Sequence, residues 1–449
     1  MENSRGISSH FSHVENLPKN SQDLKSFPQA FSYRFSFIFK DFLGFTQTHS
    51  PYGGYYENLL FIPLLFIFIK ERKLSTTMKL TFKNDALLNG INIVQKAVPS
   101  KTTLSILECI LIDASGSEIK LTGNDTELGI ETKVEGSILE RGKIALEAKI
   151  FSEIIRKLSS PDGEITIESD SRFNTTISSA NSVFNIQGRD GEEFSYLPYI
   201  EKDKYIQLSQ FTLKEVIRQT LFSISPNDSN KMMTGELFEV SDNVLKVTSL
   251  DGHRISIRKI LLKDHYENSK VIVPGKTLSE ISKILSGDNE SEIQIFFSQN
   301  HILFEFDNTI VVSRLIEGEY FRISQMLSSD YETKLTVKKR EFLDCIERAT
   351  ILVRENDKKP LILNILDNTM QLKLNSSFGS MNAEIMIHKT GKDIMIGFNP
   401  KFLIDALRVI DDEEITLYMM NPKSPCFIKN EEEQYIYLIL PVNFNAASI

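Results

Sequence analysis

Lys149–Glu153–Arg156, Lys276–Glu280–Lys283 and Lys401–Asp405–Arg408 share one spacing: a lysine, an acid four residues on, and a base three further. Positions i, i+4 and i+7 lie on one face of a helix, so each triplet is a stripe of net charge +1. Cations so arranged can meet phosphates without reading bases. The plainer reading is a solvated, salt-bridged face worth about 0.2–0.5 kcal/mol per pair. Recurrence argues for the first reading, because three equivalent helices in an arc would aim their stripes at one centre. Lys96, Lys157, Arg218, Lys338, Lys339 and Arg340 add cations nearby. A second constellation, Asp251, His253 and His265, has acid–base or metal-binding side chains. Asp251-Gly252 reads more simply as a turn, and no Ser or Cys nucleophile motif accompanies it. The three cysteines, Cys109, Cys345 and Cys426, have no CxxC and no histidine at metal spacing. That pattern argues for a reducing compartment and against both a disulfide framework and a zinc site.

The elements that must position the stripes repeat with them. Each copy opens on a helical pattern: Leu87, Ile91, Val94 and Val98; Leu213, Ile217, Thr220 and Ile224; Phe342, Ile346, Ala349 and Val353. The i, i+4, i+7, i+11 spacing predicts one buried helix face in each. Alternating strands are expected between the two helices of each copy, at Glu118–Thr122, Val244–Thr248 and Met370–Leu374. More are expected after the second helix, at Glu164–Glu168, Glu292–Phe296 and Glu414–Tyr418. Asp162-Gly163 and Gly287-Asp288 supply turn chemistry before two of these. The reading is three tandem copies over 78–201, 202–330 and 331–449, each of two similar half-units. Polar linkers fall at Glu201–Lys204 and Ser328–Thr333. Tandem copies build an arc, and arcs close into rings.

Residues 1–77 stand outside the pattern. They are rich in Phe, Tyr, Ser and His, and Leu59–Ile69 is an apolar run containing Pro63. Eleven residues are too few to cross a bilayer as a helix, and the flanks do not suit a secretory signal. The expectation is that Met78 is the natural start and that the leader makes no stable contact with the repeats. A membrane tether or lipid-binding role for Leu59–Ile69 is the less favoured reading. The whole chain carries −9, and the repeats alone −11. Bulk attraction to a polyanion is therefore excluded, and any such contact needs its cations gathered on one surface.

Several segments carry a resemblance. MKLTFKNDALLNGINIVQKAVPSKTTLSIL, then LTGNDTELGIE, resembles the first domain of the bacterial DNA polymerase III beta subunit, the DNA clamp family. SLDGHRISI (Ser249–Ile257) and VIVPGKTLSEISKIL (Val271–Leu285) resemble its second domain, and IGFNPKFLIDAL (Ile396–Leu407) and YLILPV (Tyr437–Val442) its third. The match runs in order from Met78 to about Phe444. It implies an α+β fold: three clamp domains, each two helices packed on β-sheets, closing as a head-to-tail homodimeric ring of six domains. It implies no catalysis, no cofactor and no membrane. Implied partners are double-stranded DNA held topologically, the polymerase III alpha subunit, the clamp loader and other proteins with clamp-binding motifs. The implied location is cytoplasmic, at replication forks on the nucleoid. The rival reading is a repeat-built interaction scaffold without DNA.

The resemblance also implies sites. Lys101 matches a basic loop position on the DNA path, and Lys149, Arg156, Arg218, Lys276, Lys283, Lys401 and Arg408 are the expected lining. A cleft for partner peptides is expected between the second and third domains. It is built from Met233, Asp251, His253, Arg254, Ile255, Met326, Asn399, Phe402, Pro425, Leu438, Leu440, Pro441 and Val442. Apolar walls, adaptable methionine and a few orienting polar groups suit an extended apolar peptide. Phe184 and Ile186, with Ile351 and Leu352, match the family's dimer contacts, and apolar side chains on an edge strand call for burial. Three departures bear on the cleft: Phe321 where the family commonly has Pro, Leu250 where it often has a small polar residue, and Asn443 where Arg is common. Phe321 is therefore expected to reshape one wall.

Overall fold

The computed structural model describes residues 78–158, 163–180, 182–226, 230–327, 330–354 and 359–444. The readings made of the leader, of Asp162 and of Ser328 and Ser329 lie outside the described residues. The first repeat contains β1 (Met78–Lys83), α1 (Asn84–Val94), β2 (Cys109–Asp113), β3 (Ile119–Asn124), β4 (Leu128–Val134) and β5 (Gly136–Glu140). It continues with β6 (Lys143–Glu147), α2 (Ala148–Lys157), β7 (Glu164–Ser169), β8 (Asn174–Ser179), β9 (Ser182–Gln187) and the short β10 (Arg189–Asp190). The second has β11 (Tyr205–Ser209), α3 (Gln210–Thr220), two long strands β12 (Gly235–Leu250) and β13 (Arg254–Pro274), and α4 (Gly275–Ser282). It ends on β14 (Glu292–Phe297), β15 (His301–Phe306) and β16 (Thr309–Arg314). The third runs β17 (Thr333–Lys338), α5 (Lys339–Thr350), β18 (Leu361–Leu366), β19 (Thr369–Ser376), β20 (Gly379–Met386), β21 (His388–Gly391) and β22 (Ile394–Phe398). It closes with α6 (Pro400–Val409), β23 (Glu414–Met419), β24 (Cys426–Lys429) and β25 (Tyr435–Ile439). None of the described helices is long and apolar enough to cross a membrane.

The opening helices bury the expected faces. Leu87, Ile91, Val94, Leu213, Ile217, Thr220, Phe342, Ile346 and Ala349 are all within 1% of full burial. The fourth position of each pattern falls short. Val98, Ile224 and Val353 are half-buried and lie past the helix ends. In the first two repeats the chain tightens there into a 3₁₀ turn, so i+11 no longer continues the α face. Helix starts are capped where side chains allow. The Ser209 hydroxyl accepts from Thr212 N at 3.1 Å, and Asn399 Oδ1 accepts from Lys401 N at 3.0 Å beside Pro400.

Sheets cross the repeat boundaries. A nine-stranded sheet runs β10-β6-β2-β3-β4-β16-β15-β14-β11, joining the first repeat to the second through β4 and β16. A seven-stranded sheet, β12-β13-β25-β24-β23-β17-β21, joins second to third through β13 and β25. Both seams are antiparallel and share a register. Val311 opposes Ile130 in one, and Tyr437 opposes Ser256, the equivalent pair, in the other. The turn before each receiving strand is also shared. Asp125 Oδ1 accepts from Glu127 N (3.0 Å), and Asp251 Oδ1 from His253 N (2.9 Å). Thr126 and Gly252 carry its positive φ of 77° and 86°. Two sheets remain: five strands, β5-β1-β7-β8-β9, and four, β20-β19-β18-β22. They end on β9 and β20. The first seam is also packed shut. A Cβ at Gly129 would lie 2.1 Å from Leu197 Cδ2, so glycine there admits the leucine. Ile255 takes the equivalent place at the second seam.

One core position breaks the repeat. Ile110 and Leu361 are fully buried, but their equivalent on β12 is Glu236, also fully buried. Neither carboxyl oxygen has a hydrogen-bond partner among the described residues, and the nearby Thr220 hydroxyl donates to Val216 O at 2.7 Å. Desolvation pushes the Glu236 carboxyl from 4.5 up to about 8. Across that window the folded chain keeps a proton that the unfolded chain releases, so stability falls as pH rises. Glu236→Leu is expected to raise the urea midpoint at pH 8. It should also flatten a pH dependence worth up to ~1.4 kcal/mol per unit between the two values. An unchanged slope would show that Glu236 finds compensation elsewhere.

Candidate functional site

The turn Asp251–Arg254 lies at the second seam, where β13 pairs with β25. Arg254 is 7% exposed and ties the seam together. Its Nε donates to Asp251 Oδ2 (2.9 Å), one terminal nitrogen to Asp405 Oδ2 (2.7 Å) on α6, and the other to Phe222 O (2.6 Å). Its guanidinium also lies 4.6 Å from the centroid of Phe402, on which His253 stacks at 5.9 Å. Leu440 N donates to His253 O at 2.9 Å, and Val442 N to Gly397 O at 2.9 Å. These bonds hold the end of β25 and the strand of chain after it beside the turn.

An apolar pocket of about 140 Å³ opens over this frame. Of the residues expected in the cleft, Met233, His253, Arg254, Ile255, Phe321, Met326, Leu438 and Leu440 line it. Leu250, a departure expected to bear on the cleft, lines it too, as do Gly252 and Ile323, which were not expected there. Asp251, Asn399 and Phe402 stand behind the lining: the first in the turn, the second capping α6, the third under Arg254 and His253. Pro425, Pro441 and Val442 lie outside the pocket; the prolines are half-buried and Val442 is exposed. Phe321 stands at the mouth, 37% exposed, edge-on to the buried Tyr320 at 5.7 Å. The space is smaller than the ~300–1,000 Å³ of drug-sized sites. It suits one or two side chains of an extended segment.

The helix faces differ from a simple stripe. Lys149, Arg156, Lys276, Lys283, Lys401 and Arg408 are all exposed, as is Lys101 in its loop. Lys283 pairs with Glu280 at 2.7 Å, and Arg408 with Glu347 on α5 at 2.7 Å. Lys276 pairs across the first seam with Asp125. Arg218 departs most from expectation. Its guanidinium donates to Glu215, to Asp411 at 2.9 Å and to Val409 O at 3.2 Å, which makes it a clip between the second and third repeats. Sequence spacing showed its helix position but not the acid 193 residues away. The Asp251, His253 and His265 constellation does not assemble: Asp251 serves Arg254, and His265 lies 2.6 Å from Asp242.

Family comparisons bear on the whole arrangement. Residues 78–198, 207–321 and 324–443 match the N-terminal, central and C-terminal domains of the DNA polymerase III beta subunit. The chain belongs to that family. The beta sliding clamp of Staphylococcus epidermidis is 36% identical over 376 residues, covering 81% of this chain and 99% of that one. Two solved structures each cover 82% of this chain and all of their own. One is a DNA polymerase III beta subunit from Eubacterium rectale, 65% identical with a TM-score of 0.80. The other is the Bacillus subtilis sliding clamp, 33% identical with a TM-score of 0.79.

The cleft depends on Arg254. Removing one partner of a buried ion network strands the others, at a cost of about 3–5 kcal/mol. Arg254→Ala is expected to lower unfolding stability by that order in urea titrations. Arg254→Lys should recover only part of it, because a lysine cannot serve three acceptors in the guanidinium's planar fork. Equal stability of Arg254→Ala and the parent would remove Arg254 from its place as the seam's tie.

Proposed function

We propose that the protein is a sliding clamp, in which two copies close head to tail around duplex DNA and tether the replicative polymerase. The reading rests on the equivalence of the seams. In each, the strand after the shared turn pairs with the last long strand of the next repeat. Applied to the two free edges, that register sets β20 of one copy against β9 of another. Phe184 falls opposite Met381, Val183 opposite Asn382, and Ile186 opposite Gly379. Five strands and four then make a nine-stranded sheet, as at the first seam. The edges suit burial: Val183 is 64% exposed, and Ile351, beyond the end of α5, 80%. Ile351 and Leu352 sit at a helix end rather than on an edge strand, so they would flank the new sheet.

In this reading Lys101, Lys149, Arg156, Lys283, Lys401 and Arg408 face the DNA. Lys276 and Arg218 serve first as seam clips. Contacts to phosphate carry no sequence information, so they permit sliding, while retention is topological. The clamp performs no chemistry. It converts repeated polymerase rebinding into an intramolecular event at high effective concentration. The apolar cleft takes short linear motifs of the polymerase alpha subunit, the clamp loader and other partners. The clamp works in the cytoplasm, at replication forks on the nucleoid.

Loaded onto nicked circular DNA by a clamp loader, the protein should stay bound through gel filtration and slide off once the circle is cut. Equal loss from both would favour a scaffold that does not encircle DNA. Charging Ile351 and Leu352 together should give a folded monomer by sedimentation. At the cleft, truncating a buried anchor costs on the order of 1–3 kcal/mol. Leu440→Ala is thus expected to weaken a polymerase peptide roughly tenfold or more with dimerisation intact, and Phe321→Pro to tighten it by clearing the mouth. Unchanged affinity in both variants would rule out this pocket as the docking site.

A further inference from the structure

The three seams are not chemically alike. At the first, Arg314 N donates to Glu127 O at 2.9 Å, and Lys276 pairs with Asp125. At the second, Leu440 N donates to His253 O, Arg254 pairs with Asp405, and Arg218 with Asp411. The equivalent turn of the third repeat is Ser376–Gly379. It keeps the side-chain bond of the shared turn, the Ser376 hydroxyl accepting from Phe378 N at 3.1 Å, while its positive φ falls on Gly379 instead of on the second residue. It loses every charge used at the other seams. Ser376 replaces Asp125 and Asp251, and Gly379 replaces Arg254. Glu347 stands where α3 has Arg218, and its charge is satisfied by Arg408 of its own repeat. Across the seam, Lys149, the equivalent of Lys276, would therefore meet no acid from that turn, and Glu153, the equivalent of Asp405, no arginine in the place of Arg254.

The turn offers an aromatic ring instead. Phe378 occupies the position of His253, is 54% exposed, and lies 4.4 Å from the Arg354 guanidinium. The first repeat carries a cavity of about 620 Å³, walled by Ile150, Ile186 and Gln187 and by the charged Glu108, Glu147 and Arg189. Ile150 is the equivalent of Phe402, on which His253 stacks, and Gln187 the equivalent of Leu440, whose N–H binds the His253 carbonyl. Superposing the seams therefore brings Phe378 of a second copy over Ile150, with its carbonyl facing Gln187 N. We propose that Phe378 of the second copy seats in this cavity, so that the ring's closing seam is held by an apolar plug where the permanent seams use ion pairs. The proposal rests on the ring reading. It gives the closing seam an apolar contribution that salt does not weaken, since screening acts on exposed charge and not on apolar burial.

Sedimentation of the full chain tests it, with melting temperature as the control for folding. Phe378→Asp and Ile150→Glu should each weaken the dimer about thirtyfold or more, and Phe378→Leu only about threefold. Combining Phe378→Lys with Ile150→Glu should restore affinity relative to either single change, because the two side chains face each other. A dimer that survives Phe378→Asp and Ile150→Glu unchanged would overturn the plug and leave the ring standing. A wild-type chain that stays monomeric throughout would instead overturn the ring.

Discussion

A strand at the edge of a sheet presents unpaired N–H and C=O groups that must find partners or be protected. The rest of this structure follows from how that demand is met. Each repeat has two sheets, and the chain spends one sheet edge per boundary to join neighbours. The joints are continuous hydrogen-bonded sheets with a common register, so adjacent repeats are held by their backbones. Side chains then only refine each joint. Leu197 against Gly129 seals the first, and Arg254 with its three acceptors ties the second.

The second joint combines two demands that usually conflict. A pocket for apolar side chains wants dry walls, and a buried guanidinium wants acceptors. The turn Asp251–Arg254 reconciles them by directing Arg254 toward α6 and Phe222 while Leu250 and Ile255 on either side face the pocket. Glu236, on the strand paired with this one, is a buried carboxyl without such compensation, which makes the second repeat sensitive to pH.

The repeat and its helices were legible because buried faces leave a 3.6-residue period, and Leu87, Leu213 and Phe342 obey it. Helix ends were less legible: Val98, Ile224 and Val353 keep the period but fall beyond the last turn. Most of the cleft lining was read through family resemblance, and Leu250, read as a departure bearing on the cleft, forms part of its wall. Its burial depends on the long β12–β13 pairing, which no local pattern reveals. Charge was hardest. Local spacing located Lys276 and Arg218 on helices, yet their partners, Asp125 and Asp411, come from other repeats. A sequence shows which acids are four residues away, not which are four ångströms away.

The seal of Leu197 into the space over Gly129 has a consequence for valency. Ile323, the leucine's counterpart, lines a pocket at the second seam, whereas Leu197 fills the equivalent space over Gly129 at the first. A dimer of six similar domains would therefore carry two such pockets, one per subunit. Two clients could ride one ring together, and a third would have to wait for a vacancy. Traffic on the clamp would then be governed by competition for two berths, a limit set by one leucine and one glycine.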